Sequence, residues 1–219
     1  MELSKQAKRM AARRGYLLSR YTSRHRAQWL KEVDAVKRER ILLLDHGEAC
    51  QILSAVEATA RIPGDLAELG VASGASARLI AKHAGERTLH LFDTFEGLPA
   101  PETGDSAKFA AGDFRNHLED VRKYLAGLNC RFYKGLFPAT AAPVANLQFS
   151  FVHLDVDLYE STRAGLEFFY PRMSRGGIII SHDYLSADGV DRAVAEFFAD
   201  KPEPVIEMVG GYQCLVVKL

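Results

Sequence analysis

Cysteine is scarce in this chain. Cys50, Cys130 and Cys214 are its three cysteines, far apart and without a CxxC pair or a Cys/His cluster. That pattern excludes a structural zinc site and a disulfide framework, and it fits a reducing compartment. Long apolar runs are absent too. None approaches the roughly 20 residues that cross a bilayer, and Arg13, Arg14 and Arg20 interrupt any signal-peptide core at the N-terminus. A cytoplasmic protein without membrane insertion is expected. Also missing are a GxGxxG turn, a Tyr-x-x-x-Lys pair, internal repeats and low-complexity tracts. Net charge is zero, with 28 basic against 28 acidic residues. Its distribution is uneven: residues 1–40 carry twelve Lys or Arg against four Asp or Glu, and the remaining 179 carry sixteen against twenty-four. A basic arm therefore precedes an acidic body. The simplest reading is an Arg-rich helix folded onto that body. No aromatic interleaving supports nucleic-acid binding.

What is present is alternation. Residues 4–60 read as helical, with breaks near Gly15 and around Asp45 to Gly47, and with apolar faces at Ile41 to Leu44 and Ile52 to Val56. From Asp65 the pattern changes to strand and helix in turn. Strands are expected at 65–69, 88–92, 131–133, 149–154 and 178–181, and helices at 75–83, 117–128, 159–170 and 190–198. Gly176-Gly177 reads as a turn. Residues 205–209 and 213–217 flank Gly210-Gly211 as a hairpin. This predicts an α/β fold with a mainly parallel sheet, closed by an antiparallel seventh strand, which is the Rossmann-like class I methyltransferase arrangement. The expected division is a helical N-terminal extension over residues 1–60 and a catalytic domain over 61–219.

In open α/β sheets, ligands bind beyond the carboxyl ends of the strands. Glu68-Leu-Gly-Val-Ala-Ser-Gly-Ala-Ser76 spans the first such end. Gly70 and Gly74 let backbone approach a ligand, the following helix aims its N-terminus and Ser76 at an anion, and Glu68 suits an ammonium. An amino-acid moiety satisfies both ends, whereas a pyrophosphate would face Glu68. Asp93 closes the second strand, where a carboxylate accepts from ribose hydroxyls. Asp155 and Asp157 follow the fourth strand, and His182 and Asp183 close the fifth. Together they form a divalent-metal or acid/base constellation. His153 reads as a core histidine, Asp157 as a supporting acid of the site or, by preference, the N-cap of the helix from Tyr159, and Tyr184 as packing.

ELGVASGASA, FDTFEGLP, HLDVDLYEST and GGIIISHDY together resemble the macrocin O-methyltransferase family, over roughly residues 62–219. The resemblance implies S-adenosylmethionine as cofactor, with a divalent cation, Mg²⁺ or Mn²⁺, and methylation of a hydroxyl on a small-molecule acceptor, often a sugar of a natural product. It implies that Glu68 holds the methionine amine, Asp93 the ribose and Asp155 the metal. The family's Asp-Asp-Tyr falls on His182-Asp183-Tyr184, a departure. Imidazole is softer than carboxylate and tilts preference from Mg²⁺ toward Mn²⁺, Fe²⁺ or Zn²⁺. Alternatively, His182 is a base and Asp155 and Asp183 alone touch the ion. The expected chemistry is attack of an acceptor hydroxyl on the methyl group, with Asp155 or His182 taking the proton. The N-terminal helices are expected to form a lid or a dimer contact, and Tyr16, His46 and Glu48 to touch the acceptor. The competing readings are an NAD(P)-dependent oxidoreductase and a nucleoside-binding protein without catalysis.

Overall fold

Along each central strand, apolar side chains alternate between two faces, and each face is covered by its own set of helices. A computed structural model describes residues 5–13 and 24–219. In chain order the elements are α1 (Lys5–Ala12), α2 (Arg24–Glu39), α3 (His46–Ala58), β1 (Asp65–Leu69), α4 (Ala75–His83), β2 (Leu89–Asp93), α5 (Leu118–Tyr124), β3 (Cys130–Lys134), β4 (Phe149–Leu154), α6 (Tyr159–Phe169), β5 (Met173–His182), α7 (Asp188–Phe198), β6 (Ile206–Met208) and β7 (Gln213–Val217). The seven strands form one sheet in the order β3-β2-β1-β4-β5-β7-β6. β1 to β5 pair in parallel, and β7 runs antiparallel to both β5 and β6. The α/β fold with its antiparallel closing hairpin is the one expected from the sequence.

One core cluster joins Leu66, Leu91, Phe151 and Ile180 of the sheet to α2, α3 and α4. The other joins Ala67, Leu69, Val152 and Ile179 to α6 and α7, and includes Phe92, Phe149 and Phe169. Burying each such Leu, Ile or Phe contributes about 1.5–3 kcal/mol. Trp29, Val33 and Val36 of α2 and Ile52, Leu53 and Val56 of α3 belong to the first cluster, so residues 24–58 share their core with the sheet. β4, buried at all six positions, is the central strand.

Several local expectations are corrected. Residues 41–44 are not helical. They are neither helix nor strand and link α2 to α3, with Ile41 and Leu43 exposed and Leu44 buried. Lys37 Nζ holds this segment by donating to the carbonyls of Leu42 and Leu44. Gly176-Gly177 is not a turn. β5 passes through it, and the Gly176 amide donates to the Lys218 carbonyl at 2.7 Å. α5 is shorter than the 117–128 expected. The break near Gly15 lies outside the described residues. Among the described residues, no helix is long and apolar enough to cross a membrane, and no disulfide joins the three cysteines.

Candidate active site

The β1, β2, β4 and β5 tips open onto a cavity of about 960 Å³. Gly70, Ser76, Asp93, Asp155, His182 and Asp183 all line it; Glu68 and Gly74 do not. Gly70 brings the β1 and β4 tips together. Its φ is +89°, and a Cβ there would collide with the Asp155 carbonyl oxygen. The Asp155 amide donates to the Leu69 carbonyl at 2.9 Å. Gly74 has another role than the one expected. It is the left-handed N-cap of α4, and a Cβ would lie 2.8 Å from Val121 of α5, so its missing side chain admits α5 rather than a ligand.

Asp93 clamps the glycine turn. Its Oδ2 accepts from the amides of Val71 (2.7 Å) and Ala72 (2.9 Å), and its Oδ1 from Phe95 (2.6 Å). Glu68 is fully buried and sits opposite His153 in the β1–β4 register. His153 Nδ1 and Glu68 Oε1 are 2.9 Å apart, which makes His153 the core histidine expected. Burial pushes the Glu68 pKa up, against the opposing pull of His153 and of Ser76, which also hydrogen-bonds it. Its second oxygen, Oε2, is buried without a partner.

At the β4 and β5 tips, His182 Nδ1 lies 3.1 Å from Asp155 Oδ1 and 3.0 Å from Asp183 Oδ2. One ligand atom from each of the three side chains lies within 4.8 Å of the others. That approaches the separation of donors about 2.0–2.3 Å from one shared ion. Burial works against a charge on His182, but the carboxylates of Asp155, Asp183 and Glu48 outweigh it and hold its pKa far above the usual value. The same contact, with hydrogen bonds from Asp157 and Ser186, holds Asp183 well below the carboxylate range despite its burial.

Asp157 is not a helix cap. Leu158 occupies the N-cap of α6, and the Tyr159 amide donates instead to Asp105 Oδ1 at 2.8 Å, from the loop after β2. Asp157 lines the cavity, where burial and the charges of Asp155 and Asp183 push its pKa up to about 9. The other reading of Asp157, a second acid beside Asp155, is the one its place in the cavity supports. Five non-glycine residues on the cavity wall have positive φ, namely Ala72 (+44°), Phe114 (+60°), Asp157 (+63°), Asp183 (+59°) and Leu185 (+65°). Such backbone costs about 1–3 kcal/mol each and concentrates at functional sites.

Lys108 carried no signal in the sequence. It reaches from the same loop to Asp183 Oδ1 at 3.2 Å and Ser186 Oγ at 3.3 Å. His46 is not at the cavity; it pairs with Asp34 on the surface at 2.8 Å. Glu48 does not line the cavity either. It is 3 % exposed and closes the capping box of α3 with Asp45. Tyr16 lies outside the described residues. Tyr184 packs against the second core cluster, as expected.

Residues 44–208 match the macrocin-O-methyltransferase (TylF) family. The chain belongs to that family. It is 35% identical over 142 residues to the 8-demethyl-8-(2,3-dimethoxy-alpha-L-rhamnosyl)-tetracenomycin-C 4'-O-methyltransferase of Streptomyces olivaceus, covering 56% of this chain and 54% of that protein. It is 32% identical over 161 residues to the demethyldecarbamoylnovobiocin O-methyltransferase of Streptomyces niveus, covering 63% of this chain and 59% of that protein. The chain thus spans little more than half the length of these relatives. The structure of the O-methyltransferase NovP has a TM-score of 0.75 at 24% identity, over 89% of this chain and 98% of that one. This likeness is one of fold, over most of the chain.

The residues present fit the two groups that the family implies. For S-adenosylmethionine, the unpartnered Glu68 Oε2 is an orphaned acceptor of the kind an ammonium relieves, beside the cavity-lining Leu69, Gly70 and Ser76. For a divalent cation, two carboxylates and an imidazole converge.

Proposed function

We propose that this protein is an S-adenosylmethionine-dependent O-methyltransferase of a glycosylated small molecule, working in the cytoplasm with a divalent cation. The observation that carries the reading is the opening of the β1–β2 nucleoside end and the Asp155–His182–Asp183 cluster into one cavity, in a chain of this family. Asp93 and the β1–α4 turn hold the nucleoside, with Glu68 on the amine side. Asp155, Asp183 and His182 hold the cation. When bound, the cofactor supplies an electrophilic methyl on a positively charged sulfur, and the cation lowers the pKa of an acceptor hydroxyl.

The chain's own residues do the rest. Asp155 lines the cavity beside the cluster and is in place to take the hydroxyl hydrogen as oxygen attacks carbon. Positioning of hydroxyl and methyl at about 3–3.5 Å is the other large contribution. Ile41, Leu43, Phe114, Leu136, Leu185 and Tyr212 are exposed apolar side chains on the cavity wall. They suit an acceptor whose sugar is attached to an apolar body.

The test is transfer of radiolabelled methyl from S-adenosylmethionine to a panel of glycosides, with and without EDTA. Label on an apolar glycoside, lost with EDTA, is the expected result. A companion thermal-shift assay compares S-adenosylhomocysteine with NAD; stabilisation by NAD alone sinks the reading.

A further inference from the structure

The metal-dependent reading leaves His182 two roles, ligand or base, and the surroundings of its ring separate them. Nδ1 is turned to Asp155 Oδ1 and Asp183 Oδ2 at 3.1 and 3.0 Å. Nε2 is turned the other way, 3.5 Å from Glu48 Oε1. Nδ1 is turned into the acids, and Nε2 is buried without a hydrogen-bond partner, facing that carboxylate, so neither nitrogen is open to an acceptor hydroxyl as a base would require.

Glu48 is built to stay where it is. Its side chain is 4 % exposed. Oε2 accepts from the Asp45 amide at 2.7 Å, and Oε1 from the Tyr212 amide at 2.7 Å. Gly211, in the β6–β7 turn, leaves room for it; a Cβ there would collide with the Glu48 side chain. A carboxylate accepts hydrogen and gives none. Facing Nε2, it favours a ring hydrogen on that nitrogen, so that Nδ1 is the one to give up its hydrogen and coordinate when an ion enters beside the two aspartates. A carboxylate behind a histidine in this way fixes the tautomer and orientation of metal-binding imidazoles.

We propose that His182 is a metal ligand through Nδ1, that Glu48 is its positioning residue, and that this nitrogen donor makes the site select first-row transition ions such as Mn²⁺ over Mg²⁺. The proposal rests on the metal-dependent reading above and names the class of ion. Its chemical basis is donor softness: Mg²⁺ takes oxygen ligands in near-ideal octahedral geometry, whereas imidazole suits the transition metals.

The experiment is equilibrium dialysis of the full chain against MgCl₂ or MnCl₂, for wild type, His182→Asp and Glu48→Gln. Wild type is expected to bind Mn²⁺ at least about 30-fold tighter than Mg²⁺. His182→Asp, with an all-oxygen set, lowers that ratio at least about tenfold. Glu48→Gln moves it the same way by a smaller factor and weakens Mn²⁺ by about tenfold. A general loss of structure would weaken both ions without moving the ratio. Pulsed electron paramagnetic resonance of Mn²⁺ on wild type needs no variant, and directly bound ¹⁴N is expected. Absence of nitrogen coupling, a ratio unmoved by His182→Asp, or no binding of either ion overturns the proposal. A thermal shift with S-adenosylhomocysteine on the same samples reports the nucleoside site separately. Its failure counts against the methyltransferase reading and not against the ligand set.

Discussion

Gly70 is the residue on which two strand tips depend. An alanine there must combine a positive φ with a collision against backbone. Gly70→Ala is expected to cost about 2–4 kcal/mol, lowering Tm by about 5–15 °C, with methyl transfer lost; calorimetry beside the transfer assay checks both. Asp93 separates differently. Removing three amide contacts loosens the turn while the core stays intact. Asp93→Ala is therefore expected to weaken S-adenosylhomocysteine by about 10–100-fold in titration calorimetry, each tenfold being about 1.4 kcal/mol. Unchanged affinity would reduce Asp93 to a clamp. Asp155→Ala should do the reverse. Turnover falls by more than about 10³-fold, the scale of losing a charge-stabilising group, while cofactor affinity stays within about threefold. A large loss of affinity would misplace its role.

Among the elements, the loop between β2 and α5 does the most with the least signature. Its base is closed where the Leu98 amide meets the Asp113 carbonyl and the Gly112 amide meets the Leu98 carbonyl. Asp105 fastens it to the start of α6 and Lys108 to Asp183. Asp105→Ala is expected to cost about 1 kcal/mol, as lost helix caps do, and to expose residues 96–116 to limited proteolysis. A cleavage pattern like that of wild type would show that the loop is held otherwise. These contacts explain what could be read in advance. β1, β4 and α4 were legible to the residue because their apolar runs end at glycine or acidic residues that also mark the strand tips. Asp155, His182 and Asp183 were legible as a group for the same reason. Asp105, Lys108 and the 41–44 segment were not. Asp105 and Lys108 have partners 54 and 75 residues away, and no local periodicity records a contact across that distance. Ile41 to Leu44 misled because four consecutive apolar residues do not by themselves fix a helix.

The whole chain is tied off at its far end by Glu203, 2 % exposed, between Lys218 Nζ at 2.5 Å and Tyr170 Oη at 2.6 Å. Burial opposes its charge, but these contacts bring its pKa down from 4.5 to about 2. A carboxyl lowered on folding stabilises above its unfolded pKa and loses that contribution as pH falls through the folded one. Glu203→Gln is thus expected to lower stability by about 1–3 kcal/mol at pH 7, with the gap from wild type shrinking between pH 4.5 and about 2. Urea titrations across that range give the answer, and a gap that stays constant would show that the charge contributes nothing.

The position of α3 has a practical corollary. A fragment begun at Ile62 would carry all seven strands and every acidic residue of the cluster. It would also lack Leu42 and Leu44 from the cavity lining and the carboxylate behind His182. Exchanging the first sixty residues between two relatives is therefore no neutral graft: the hybrid inherits a new acceptor contour and a new setting for its imidazole at the same crossover.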